Sequence, residues 1–201
     1  AVCLSNNHIF DLGDEGFIDT IDFLKSNNIG FFGAGSEKDN FNNPFTYKIK
    51  NTTYDFYGYC CLSTKPNLNT LKNTVSKIEL NRIKNDIRKS KLKGHNAIIQ
   101  LHWGDEEITI PKPSDVKVAR KIIELGAELV IGHHSHVVQS HEIYRDKFIF
   151  YGLGNFIFPD LNIPSYFDGK KFTKTYKKIQ SKRNTIGLMV IINDDKKITY
   201  N

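Results

Sequence analysis

Apolar and polar positions along the chain fall into blocks that switch between the two-residue period of strands and the 3.6-residue period of helices. Residues 1–4 read as the end of a buried strand. Phe17, Ile18, Ile21 and Leu24 form a stripe that predicts a helix over 15–27, stopped at Asn27-Asn28. Residues 29–32 predict a strand, and Gly33-Ala34-Gly35 a turn after it. Residues 46–49 and 54–61 flank Asn51-Thr52 and predict a hairpin. Leu71, Val75, Ile78, Ile83 and Ile87 keep helical spacing through a polar stretch. Residues 97–101 are apolar apart from Gln100 and predict a buried strand. Ser114 is expected to cap a helix that turns Val118, Ile122 and Leu125 inward and closes at Gly126. Strands are predicted at 129–131 and 148–151, a basic loop over 156–183, and a closing hairpin from 187–192 and 198–200. Strands alternating with helices in this way predict an α/β fold around a largely buried mixed or parallel sheet.

Composition narrows the classes. The chain has 201 residues, 39% hydrophobic and 25% charged, enough for one domain with its own core. No run approaches the roughly 18 apolar residues of a membrane span, so no transmembrane segment is expected within these residues. The opening residues read as lying inside a longer polypeptide. Net charge is +6, with basic clusters at 88–93 and 170–182 that serve either as a solvated face or as an anion-attracting surface. Nothing matches a nucleic-acid-binding module, and none is expected as a partner. Cys3, Cys60 and Cys61 give no disulfide framework, since adjacent cysteines bridge only with strain. Buried reduced thiols are expected, which points toward a reducing, cytoplasmic compartment.

The chemistry concentrates in the histidines. Three of seven lie in Gly132-His133-His134-Ser135-His136, directly after a predicted strand; His102 follows a second strand and His8 a third. Functional groups in open α/β sheets gather beyond the carboxyl ends of the strands. Neutral imidazoles from three strand ends supply what a zinc, manganese or iron site requires. A lone strand-end histidine such as His8 or His102 also serves as an ordinary hydrogen-bonded structural residue, whereas the clustered run is harder to read that way. His95 and His141 read as structural. Asn7 offers a neutral oxygen ligand beside His8. Asp11, three residues on, either accepts a hydrogen bond from His8 and fixes its tautomer or caps the following helix.

Four stretches, Ser5 to Gly13, His102-Trp103-Gly104-Asp105-Glu106, Gly126 to Val138 and Phe150-Tyr151-Gly152-Leu153-Gly154-Asn155-Phe156, resemble in order the motifs of the bacterial capsule and poly-gamma-glutamate biosynthesis (CapA-like, PGA_cap) proteins of the calcineurin-like metallophosphoesterase superfamily. The resemblance implies a single domain over 1–201, a four-layer α/β/β/α sandwich, with a basic loop-like insertion at 159–185. It implies two divalent metal ions (Mn, Fe or Zn) at the sheet rim. Asn7, His102, His134 and His136 would be the metal ligands, and His8, with Asp11, the catalytic pair near the leaving group. His133 fills an extra place and is not expected to ligate. Two acidic motifs that the superfamily places before Asn-His do not occur in these residues, so the family's N-terminal strands are expected to be missing from this chain. Asp115 stands where the family often has Gln.

The implied activity is a metal-dependent hydrolase acting on a phosphoester or an anionic surface polymer, with the 170–183 segment as an anion attractor or a solvated loop. The rival expectation is a non-catalytic accessory subunit that keeps a vestigial site and joins a membrane-bound synthase. A third is a single-metal site of His102, His134 and His136. By resemblance the compartment is the cell envelope.

Overall fold

The computed structural model describes residues 1–36, 43–61, 73–167, 169–193 and 197–200. Its centre is a mixed six-stranded sheet. A hairpin of β4 (Phe45–Ile49) and β5 (Thr52–Cys60) lies at one side, and β7 (Asn96–His102), β8 (Leu129–His133), β10 (Lys147–Phe150) and β9 (His141–Tyr144) continue from it in that order. The strands β5, β7, β8 and β10 run parallel, and β4 and β9 pair antiparallel at the two edges. Parallel neighbours need crossovers, which α2 (Leu80–Leu92) and α3 (Pro113–Glu124) provide.

Period-two alternation along β7 divides the core. Ile99 and Leu101 face the helices and pack with Tyr57, Tyr59, Ile83, Ile87, Ile122 and Val130. Ile98 faces the other way, into a second cluster with Leu129, Ile131 and Phe150. The hairpin of β13 (Val190–Ile192) and β14 (Ile198–Tyr200) covers that second face through Val190, Ile192 and Ile198.

The N-terminal segment forms its own layer. β1 (Val2–Cys3) pairs parallel with β2 (Phe31–Phe32), and α1 (Gly13–Ser26) lies over them through Phe17 and Leu24. Asp14 and Glu15 in the first turn and Lys25 in the last complement the helix dipole.

Buried polar groups tie α2 to the sheet. Asp55 is fully buried and accepts hydrogen bonds from Thr46 Oγ1 (2.6 Å), Ser90 Oγ (2.7 Å) and His95 Nδ1 (3.2 Å). Burial by itself would raise its carboxyl; the bonds from Ser90, Thr46 and His95 outweigh that and hold it below the ordinary carboxylate value. His95 is structural, as expected, and so is His141, whose Nε2 meets Tyr200 Oη at 2.8 Å.

Several expectations are corrected. Residues 34–36 are a strand, β3 (Ala34–Ser36), paired with β6 (Asn73–Val75), so Val75 belongs to a strand and the helix begins only at Leu80. Leu71 lies outside the described residues. Val75 packs in the α1 cluster while Ile83 and Ile87 face the central sheet, and one apparent stripe thus serves two surfaces. Ser114 does not cap α3: Lys112 occupies that position without a side-chain bond, and Pro113 opens the helix. Gly126 does close it, with φ of 106°. Residues 141–144 form the edge strand β9. The stretch expected to be loop contains a hairpin of β11 (Leu161–Phe167) and β12 (Phe172–Lys178). Val2 is exposed and Cys3 and Cys61 are half-buried, so the first strand and the thiols are less enclosed than expected.

Candidate metal centre

The parallel register of β7 and β8 decides where the site forms. His102 and His133 are the last residues of their strands and stand abreast in the ladder. Their rings lie 4.9 Å apart, with Nδ1 facing Nδ1 at 2.8 Å. Beyond His133 the backbone enters the left-handed region at two non-glycine residues, His134 (φ 102°) and His136 (φ 59°), a strained geometry of the kind that sites conserve in packing terms by holding it from all sides. Gly132 makes this possible: a Cβ there would sit 1.9 Å from the carbonyl oxygen of Tyr151 and 2.5 Å from Trp103 Nε1. The turn brings the His134 ring to 4.4 Å from His102 and 6.3 Å from His136.

The loop after β1 closes the site. Ser5 is fully buried where Gly33 and Gly58 leave no room for a Cβ, with Ser5 Oγ 2.9 and 2.5 Å from those positions. That anchor carries Asn7 and His8 to the rim. Asn7 Oδ1 lies 2.9 Å from His102 Nε2, and Asn7 Nδ2 3.2 Å from His8 Nε2. His8 Nδ1 donates to Asp11 Oδ2 at 2.7 Å. Asp11 is therefore the partner of His8; Leu12 stands at the start of α1 in its place.

The sequence expectation thus gathers Asn7, His8, Asp11, His102, His134 and His136 into one neighbourhood. Asn155 has no role in the sequence reading. Its Oδ1 accepts from His136 Nδ1 (2.8 Å), its Nδ2 donates to the Asn184 carbonyl (3.0 Å), and it orients His136 with Nδ1 protonated. The signal for it was the Gly-Leu-Gly-Asn run, where Gly154 takes φ of 71°.

Electrostatics favour neutral rings. Burial, then the neighbouring imidazoles, push His102 down to about 2; burial pushes His133 down to about 4. Burial also lowers His134, and nearby Glu106 opposes that fall. His134 Nδ1 and His133 Nε2 are buried without a hydrogen-bond partner. Neutral imidazole with an unshared nitrogen, next to an amide oxygen, is the donor chemistry of a divalent transition metal, and these residues fit one. Among the described residues, no three His, Cys, Asp or Glu side chains are grouped to hold a metal ion by themselves.

The profile of the bacterial capsule synthesis protein family PGA_cap matches residues 1–160. The chain belongs to that family. It is 29% identical over 161 residues to the capsule biosynthesis protein CapA of Bacillus anthracis, covering 77% of this chain and 39% of the relative. It is 31% identical over 157 residues to the PGA biosynthesis protein CapA of Bacillus subtilis, covering 77% of this chain and 41% of the relative. The chain spans about two-fifths of the length of these relatives. Among solved structures, a putative 5'-nucleotidase from Staphylococcus aureus aligns with a TM-score of 0.54 at 13% identity, over 74% of this chain and 31% of that one. The NAD nucleotidase of Haemophilus influenzae aligns at 0.50 and 14%, over 74% and 30%. At such identity the likeness concerns the fold, and the PGA_cap chain has the α/β fold of metallophosphoesterase-type nucleotidases.

Proposed function

We propose that this chain carries the metal-binding part of a phosphoesterase-like hydrolase in capsule or poly-gamma-glutamate biosynthesis, at the cell envelope. One observation carries the reading: the Asn7 amide oxygen and the His134 ring both lie against His102, with the two imidazoles held neutral. In this reading Asn7, His102, His134 and His136 hold divalent cations, two of them where carboxylates complete the set. A cation bound there supplies Lewis-acid polarisation of a phosphoryl oxygen. His8, exposed at the rim and fixed by Asp11, delivers a proton to the departing oxygen, and such help contributes about 10²–10⁴-fold. The anionic substrate is drawn by lysines of β12 such as Lys174 and Lys177.

A second reading is favoured by the neutral ligand set. It makes the chain an accessory component that joins a membrane-bound synthase without catalysing hydrolysis. A relative at 27% identity bears the name probable polyglutamine synthesis accessory protein. No helix of the described residues is long and apolar enough to cross a membrane. Hydrolysis of bis(p-nitrophenyl) phosphate with added Mn²⁺, compared with His102→Ala and His136→Ala, separates the two. The hydrolase reading expects Mn²⁺-dependent turnover that falls at least about 10²-fold in both variants. Absence of turnover in all three overturns it in favour of the accessory role.

A further inference from the structure

The strands β11 and β12 pair with each other in a two-stranded ribbon, apart from the central sheet. Both faces of the ribbon are exposed: Asn162 lies opposite Lys177 on one, and Ile163 opposite Tyr176 on the other. From 170 to 183 the sequence holds seven lysine and arginine residues and no acidic one. The chain's whole net charge of +6 is accounted for by this one stretch.

Large apolar side chains are exposed in the same place. Phe156 (89%) and Ile157 (81%) precede β11, Ile179 (68%) follows β12, and Ile163 and Tyr176 are exposed between them. The Gln180 backbone N–H donates to Asp160 Oδ1 at 2.8 Å and holds the two feet of the ribbon together. Cations by themselves would suit any anion. A dissolved polyanion, however, would take the lysines and leave these apolar side chains in water. Lysines interleaved with apolar groups match a surface that is anionic outside and apolar within. The ammonium groups reach the phosphates, and the apolar groups sink to the acyl boundary.

We propose that the β11–β12 hairpin is a docking arm for a bilayer with anionic headgroups. Lys174 and Lys177 lie at the phosphates, and Ile163, Tyr176 and Ile179 at the acyl boundary. The docking stands on the hairpin alone; its consequence rests on the metal reading proposed above. The feet of the ribbon border the candidate centre: the Phe158 ring lies 4.8 Å from that of His136, and Lys178 Nζ 3.5 Å from Glu107 Oε1. Glu107 in turn donates its N–H to the Ser135 carbonyl at 2.7 Å, inside the histidine turn. A docked hairpin sets the centre beside the headgroups, so the phosphoester it takes is one carried at the bilayer surface.

Flotation of the intact chain with phosphatidylcholine vesicles, with and without phosphatidylglycerol, tests the docking in the absence of metal. The native chain is expected to float only with the anionic vesicles. At about fivefold in partition for each lysine, Lys174→Gln/Lys177→Gln is expected to weaken binding about 30-fold. Tyr176→Ser/Ile179→Ser keeps every charge and is expected to weaken it at least about 10-fold. Failure to float with either vesicle, or equal flotation with both, overturns the proposal. So does an apolar double variant that binds as tightly as the native chain, which would make the ribbon a site for a dissolved polyanion such as poly-glutamate. Hydrogen exchange of the native chain needs no variant: anionic vesicles are expected to slow the amides of 161–179. Slowing elsewhere with that segment unchanged also overturns it. Vesicle binding without Mn²⁺-dependent hydrolysis leaves the docking standing and removes only its consequence for the substrate.

Discussion

Acidification strikes the site before it strikes the rest of the fold. An unfolded histidine binds its proton near pH 6.5, whereas the folded chain holds His102 at about 2 and His133 at about 4. With folded values below unfolded ones, the unfolded state takes up protons first. The stability that depends on neutral rings is complete above about pH 6.5 and is lost as the pH falls. Each ring loses about 1.4 kcal/mol per pH unit below that point. By pH 5 the two together remove roughly 4 kcal/mol, against the 5–15 kcal/mol typical of a whole domain. His134 is lowered in the same direction and adds to the loss. Asp55 acts in a separate window. Its folded value lies below the unfolded 3.8, so its contribution stays whole until the pH drops beneath that figure. Urea unfolding in the presence of a chelator, followed by the fluorescence of Trp103 at about pH 7.5, 6.5 and 5, measures the effect. The expected loss is near 4 kcal/mol for the native chain and below about 1 kcal/mol for the His102→Leu/His133→Leu double variant. A native chain that loses less than about 1 kcal/mol, or a double variant that loses as much as the native one, refutes the reasoning.

Other substitutions separate the scaffold from the site. Gly132→Ala drives a methyl into the Tyr151 carbonyl and is expected to cost about 1–3 kcal/mol or more, lowering Tm by about 2–4 °C for each kcal/mol and weakening zinc binding through the displaced His134. Unchanged Tm in a calorimetric scan would refute the close approach. Asp55→Ala leaves the buried Ser90 hydroxyl and the more open Thr46 and His95 donors without their acceptor and is expected to cost about 2–4 kcal/mol in urea unfolding, while folded molecules keep the zinc affinity of the native chain. A loss below about 1 kcal/mol would show that the cluster does not hold α2 to the sheet.

The sequence was most readable where a signal is local. Apolar runs at 97–101 and 129–131 announce strands buried on both faces, and the structure places them side by side at the centre of the sheet. His8 and Asp11 meet because the turn between them is short, and the three-residue spacing alone suggested the pair. Reading failed where one spacing served two surfaces. Val75 and Ile83 are compatible with a single helix, yet Val75 completes a bridge to Ala34 and only Ile83 turns toward the central sheet. Residues 161–178 were obscured for another reason. The backbones at 166 and 174 pair across an irregular register in a hairpin whose lysine-rich second strand reads as polar loop.

The site itself divides along the same line. Three apolar runs ending in histidine or in Asn-His marked the rim, because parallel strands deliver their last side chains to a common edge. Which histidines touch was not marked. The contact between His102 and His133 comes from a register that pairs Ile98 with Leu129 and so carries residues 102 and 133 to the same height. Shifting that register by one residue would turn His133 to the opposite face, away from His102, and bury Ile131 among the helices. The ladder between two ordinary hydrophobic strands is therefore what brings His133 against His102, beside the amide of Asn7. Asn155 follows the same logic at the next strand: β10 ends beside β8, and the turn at Gly154 returns an amide to His136 from a segment with no chemical signature of its own. The proposed ligands were visible as residue types, and the groups that touch them became visible only through strand pairing.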